Sequence, residues 1–156
     1  MHGQVIIGEG KSSLSSPSIS IEFGNENKGI VLPWVNSSNE ITPVSGTLVL
    51  DLNDRKVKVK LNNEWMNLTN ASDALIDTAL QDGLSDQPQA KVSIGTPTNI
   101  DGILVLEDSD KAMQLPMVES PHLNIINPAP GMIAYDTRAK LVCIFNGTEW
   151  SFWIPE

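Results

Sequence analysis

The chain has 156 residues and carries 10 Lys+Arg against 19 Asp+Glu, a formal net charge of −9. With 40% apolar residues it can bury a core, and its 11 Gly and 10 Pro are ordinary usage, which excludes a collagen-like or low-complexity rod. The acidic balance, with no basic stripe, excludes the counterion release that holds proteins on DNA or RNA, so no nucleic acid partner is expected.

Met1-His2-Gly3 reads as added residues or a leader remnant ahead of the first strand, Val5-Ile6-Ile7-Gly8. A second strand is predicted over Ser18–Phe23, and Asn25-Glu26-Asn27 forms an acidic turn before Lys28. Leu32-Pro33-Trp34-Val35 follows, then a long connection, Asn36–Thr42, and a strand over Gly46–Asp51. After the turn Leu52-Asn53-Asp54, residues Arg55–Leu61 alternate Lys56, Lys58 and Lys60 with Val57, Val59 and Leu61. That pattern predicts a half-buried strand with the three lysines on a wet face. Asn62-Asn63 then reverses the chain into the Trp65 strand.

Between residues 70 and 90, Ser72 is a plausible N-cap and Ala71, Ala74, Leu75, Ala79 and Leu80 recur at helical spacing. Gly83 fits the stop position, so one short amphipathic helix is expected here as a linker. Strands follow at Val92–Gly95 and Ile103–Leu106, then an acidic turn, Glu107-Asp108-Ser109-Asp110, before Lys111. Leu115-Pro116-Met117-Val118 leads into the connection Glu119–Pro130. Gly131–Asp136, the turn Thr137-Arg138-Ala139 and the nearly all-apolar Lys140–Phe145 come next. The turn signal Asn146-Gly147 then opens a last strand at Trp150, and 154–156 is a tail.

These elements repeat. Leu32-Pro33-Trp34-Val35 recurs 83 positions later as Leu115-Pro116-Met117-Val118, with Lys28 and Lys111 each four residues ahead. Gly46–Asp51 matches Gly131–Asp136, while Pro43/Pro128 and Glu64-Trp65/Glu149-Trp150 share a spacing of 85. Landmarks in one order, with small indels between them, define two copies of one module at 4–69 and 91–153. Each reads as a short β-meander. The fold class is mainly β: two repeated meander modules joined by a short helix, intertwined or stacked in a homo-oligomer. A unit of about 60 residues buries only about 60% of its unfolded surface, so each module gains by packing on a copy.

The sequence Gln4-Val5-Ile6-Ile7-Gly8, Lys28-Gly29-Ile30-Val31-Leu32-Pro33-Trp34-Val35, Gly46–Asp51 and Asn63-Glu64-Trp65 resembles a module of secreted cell-surface and tail-fibre-like proteins of Bacteroidetes. The second copy matches that pattern further, through Gly131-Met132-Ile133-Ala134-Tyr135-Asp136-Thr137 and Asn146-Gly147-Thr148-Glu149-Trp150. The chain departs from it at Trp34 and Met117, where the pattern carries Arg, and at Gln114 before Leu115. The resemblance implies an exported structural or adhesion protein, extracellular or at the cell surface, and brings no catalytic residues with it.

Chemical candidates are few. Trp65 and Trp150 hold equivalent places and are expected as core anchors, together with Leu32, Pro33, Leu115 and Pro116. Trp34, Met117 and Trp153 are the ligand or interface candidates: an exposed Trp can stack on a sugar ring or a partner surface, or pack in the core. The acidic turns at 25–27, 107–110 and 51–54 lack the alternation and Gly of a calcium loop and read as solvated turns, so no metal is expected. A single Cys143 excludes an intrachain disulfide or a multi-thiolate site, and His2 and His122 are too few for most zinc chemistry. Module 1 has no counterpart of Cys143 or His122, which argues against a Cys/His nucleophile and favours a buried structural thiol. The N-glycosylation patterns at Asn36, Asn67, Asn70 and Asn146 read as turn composition, and Asp77-Thr78-Ala79 resembles a short O-glycosylation signal. No run approaches the roughly 18 apolar residues of a membrane span.

The expectation is a non-enzymatic, cofactor-free exported module that associates with itself. A homotrimer is favoured by analogy with elongated β fibres. The alternative is a glycan- or receptor-binding tip of a phage-tail-like fibre, built around Trp34.

Overall fold

The computed structural model describes residues 4–79, 83–85, 92–95, 104–107 and 110–154. It is mainly β, and the chain divides into two compact units. One is built from Met1–Glu26 with Ala79–Pro116, the other from Asn27–Thr78 with Met117–Glu156. The units therefore cut across the repeats: the front of each copy falls in the first unit and the back of each copy in the second.

In the first unit, β1 (Val5–Ile7), β2 (Ile19–Phe23) and β10 (Ala112–Met113) form a parallel sheet in the order β1-β2-β10. The strands β8 (Val92–Gly95) and β9 (Leu104–Glu107) pair in parallel as the second copy of β1 and β2. Parallel pairing needs a crossover, and successive passes of the chain stack here as in a β-solenoid. Gly24 makes one crossover possible: it lies so close to Glu9 that a Cβ there would clash with the Glu9 carbonyl oxygen.

In the second unit both copies build the same object. Copy 1 gives β4 (Trp34–Val35), β5 (Leu48–Asp51), β6 (Lys56–Lys60) and β7 (Trp65–Asn67), in that order. Copy 2 gives β11 (Met117–Val118), β12 (Met132–Asp136), β13 (Leu141–Phe145) and β14 (Trp150–Trp153). Each sheet starts with a parallel pair, Val35 opposite Asp51 and Val118 opposite Asp136, and continues as the expected antiparallel meander. The short β3 (Ile30–Val31) of copy 1 lies antiparallel to β12 of copy 2, as β10 of copy 2 lies beside β2 of copy 1. These exchanged pairings tie the two copies together within each unit. The core of the copy 2 sheet is Val118, Ile125, Ala134 and Cys143, with Met132 and Trp150 packed against it. That of copy 1 includes Val49, Leu50 and Val57, none more than 3% exposed.

Two expectations are corrected. No helix forms at 70–79 or 83–85; residues 80–82 and 86–90 lie outside the described ones. Tertiary partners take the backbone groups that a helix would have used. Ser72 N–H donates to the Arg55 carbonyl, the Asn70 carbonyl accepts from Asn146 Nδ2, and Ser72 Oγ turns to the Ala74 carbonyl instead of capping. Leu75, placed on the buried face by helical spacing, is 88% exposed. The sole helix among the described residues is α1 (Pro121–Asn124), a single turn in the second copy's long connection. Secondly, Lys58 is not on a wet face. It is 6% exposed, because Asp51 at the end of β5 and Asp54 in the turn after it receive its ammonium.

Candidate functional site

The chemistry of the described residues gathers at the corner of each meander. In copy 1 the chain turns after Asp51, and the turn closes with Arg55 at φ 55°. In copy 2 it turns after Asp136 and closes with Lys140 at φ 62°. The two turns have equal length, and the aspartate caps each. Asp51 Oδ1 accepts the N–H of Asp54 at 3.0 Å and its Oδ2 that of Ser38 at 2.8 Å. Asp136 Oδ1 alone accepts three N–H groups, from Arg138 (2.8 Å), Ala139 (3.0 Å) and Ser120 (3.2 Å). Both carboxylates are 1% exposed; within the turn at 51–54, expected to be solvated, Asn53 and Asp54 are exposed while Asp51 is buried. Buried carboxylates require such donors.

The corners differ in how the charge is balanced. In copy 1, Lys58 Nζ donates to Asp51 Oδ2 at 2.8 Å, to Ser38 Oγ at 3.1 Å and to Asp54. Burial alone would raise the Asp51 pKa, but the bonds from Lys58, Ser38 and Asp54 overcome it and hold the carboxyl far below its usual range. Burial would likewise lower that of Lys58, yet Asp51 and Asp54 raise it. In copy 2, the residue 85 positions after Lys58 is Cys143, and the one 85 after Asp54 is Ala139. Burial works upward on Asp136 as well, and its three N–H donors, with a smaller contribution from the charge of His122, bring its pKa down. The Cys143 thiol is fully buried and donates to the Ala134 carbonyl at 3.3 Å. Burial first, and then the Asp136 charge, push it up to about 12, which makes it a poor nucleophile.

Beside Asp136 lies an open pocket of about 420 Å³, lined by Ser120, His122, Leu123, Asp136, Arg138 and Ala139. Ser120 has φ 46°, a left-handed backbone that aims its N–H at the carboxylate. The His122 ring packs edge-on against Phe152, with 5.4 Å between ring centres. In the first unit a third buried carboxylate, Glu22, accepts from Lys11 and from Ser15 (N at 2.8 Å, Oγ at 2.6 Å). Burial opposes its ionisation, but these bonds win and hold its pKa down at about 2.

The residues singled out in the sequence fall in varied surroundings. Leu32 and Pro116 are buried; Trp65, Trp150 and Leu115 are half-buried, and Pro33 is exposed. Trp34 is half-buried and donates its Nε1–H to the Pro130 carbonyl at 2.9 Å, so its polar handle joins copy 1 to copy 2. Trp153 does the converse, donating to the Leu68 carbonyl at 2.9 Å while 37% exposed, and Met117 is 41% exposed. The structure thus brings Trp34 and Trp153 into copy-to-copy bonds, while Met117 lies opposite Tyr135 in the copy 2 sheet. Among the described residues no group of three or more His, Cys, Asp or Glu could hold a metal ion, and no helix is long and apolar enough to cross a membrane.

Sequence reasoning missed the Asp51–Lys58 pair, the Asp136 pocket and Glu22. One signal was available for the first: Lys58 aligns with Cys143 in an all-apolar strand, so a dry position in one copy marks a dry position in the other. No protein-family model, curated protein or solved structure matches this chain.

Proposed function

We propose that the chain is a non-enzymatic, exported structural or adhesion module that associates with copies of itself, as a homotrimer, in a surface appendage or fibre. The observation that carries this reading is the outer edge of the copy 2 sheet. There β14 closes the strand order, pairs with β13 on one side, and leaves Phe152 and Trp153 each 37% exposed and Ile154 74% exposed. Free strand edges pair readily with other chains, and aromatic side chains are the favoured anchors of protein interfaces. The matching edge in copy 1, β7, leaves Met66 36% exposed, so each copy offers an edge for association.

Light scattering and sedimentation over a wide concentration range test this reading. A trimer that Ile154→Lys weakens at least tenfold is the expected result. A strict monomer at high concentration overturns the proposal, as does an assembly indifferent to charges placed along β14.

A further inference from the structure

Copy 1 shows what the corner carboxylate holds when its seat is filled from within: the Lys58 ammonium, on Asp51 Oδ2, Ser38 Oγ and Asp54. Copy 2 keeps the carboxylate and the turn but replaces the ammonium by Cys143 and the second carboxylate by Ala139. Asp136 stays 1% exposed with its Oδ1 saturated by three N–H groups. No donor among the described residues reaches its Oδ2. The pocket opens against this half-satisfied carboxylate, and its volume of about 420 Å³ lies within the roughly 300–1,000 Å³ of small-molecule sites.

The rest of the lining decides the ligand chemistry. Arg138, standing where copy 1 has Asn53, and His122 add donors and positive character beside the acceptor, while Ser120 can both donate and accept. A free cation fits poorly beside Arg138, and without Asp54 the second carboxylate of the ammonium seat is gone. An anion fits poorly beside the Asp136 charge. A neutral ligand with adjacent hydroxyls fits both: one hydroxyl donates to the carboxylate while its neighbour accepts from Arg138 or His122. Leu123, 69% exposed at the pocket, offers apolar surface to the C–H side of a ring. We infer that the Asp136 pocket of copy 2 is a binding site for a sugar ring presenting vicinal hydroxyls. Trp34 does not line this pocket, and binding there requires no self-association.

Amide NMR on the full chain tests the inference, with methyl glycosides of glucose, galactose, mannose, fucose and N-acetylglucosamine as probes and butylammonium and inorganic phosphate as charged controls. At least one glycoside should shift the Ser120, Arg138 and Ala139 amides saturably at millimolar concentration, with neither control doing so. Asp136→Asn should weaken that binding at least tenfold. Because Asp136 also holds the turn, Arg138→Ala is the second variant; this exposed side chain should be removable with unchanged Tm and at least a fivefold loss of affinity. No shift with any glycoside, stronger shifts with butylammonium or phosphate, or an Arg138→Ala affinity equal to that of the parent overturns the inference.

Discussion

At the β5–β6 corner, Asp51 divides its two oxygens between the N–H groups of Ser38 and Asp54 and then takes the ammonium of Lys58. At the β12–β13 corner, Asp136 puts three N–H groups on one oxygen and, among the described residues, takes no cation. The turns are equal in length and the aspartates equally buried, so the backbone dictates a carboxylate at this place. How the charge is offset is left to the neighbours. Copy 1 does it with a buried salt bridge, and copy 2 with main-chain dipoles and an open pocket. A conserved backbone need can thus coexist with divergent chemistry at the same spot of a duplicated module.

The largest expected effect strikes this difference directly. Lys58→Met leaves Asp51 buried with two N–H donors and no cation, and breaking a buried pair from one side costs about 3 kcal/mol. Asp51→Asn added to it should recover part of that loss, since the stranded charge is then gone. The same position in copy 2 holds no ion pair, so Cys143→Ala should cost about 1 kcal/mol, the loss of one buried sulfur. Urea unfolding of these variants decides the matter; equal losses for Lys58→Met and Cys143→Ala would show that the two corners are energetically alike.

The meanders were legible because turn chemistry and alternation are local. Asn146-Gly147 and Asp136 bracket an apolar run, and the strand between them lies where the pattern puts it. Lys58 misled the pattern because alternation records polarity and not pairing: a lysine bonded to two aspartates can be dry. Residues 70–79 misled it because Arg55, Asn146 and Thr148, far away in sequence, capture their backbone groups. The exchanged pairs β2–β10 and β3–β12 leave no periodic trace at all, since register between distant strands is set by packing. The pocket was hidden for the same reason, as a long connection separates His122 from Asp136 and Arg138.

Acid sharpens the comparison at a smaller scale. Asp51 and Asp136 both have folded pKa values below the ordinary 3.8, so the stability each contributes is complete above about pH 4 and is lost as pH falls through the folded value. Glu22 behaves alike in the first unit, losing its contribution between about pH 4.5 and 2. Unfolding midpoints measured from pH 6 to 2 should fall steeply for the parent, less for Glu22→Gln and less for Lys58→Met. An acid limb unchanged by Lys58→Met would mean that Lys58 does not hold Asp51 ionised.

The smallest effects concern the bonds that make one unit of two copies. Trp34 reaches from copy 1 to the Pro130 carbonyl of copy 2, and Trp153 from copy 2 to the Leu68 carbonyl of copy 1, its own counterpart 85 positions earlier. Replacing either by Phe keeps most of the apolar area and deletes one N–H donor, a loss of about 1 kcal/mol. The bonds share no partner, so the two losses should add to within about 0.5 kcal/mol in the double variant. A coupling well above that, read by denaturant unfolding, would mean that breaking one tie already loosens the other. The copies would then separate in one cooperative step, and the differences between their corners would be felt across the whole unit.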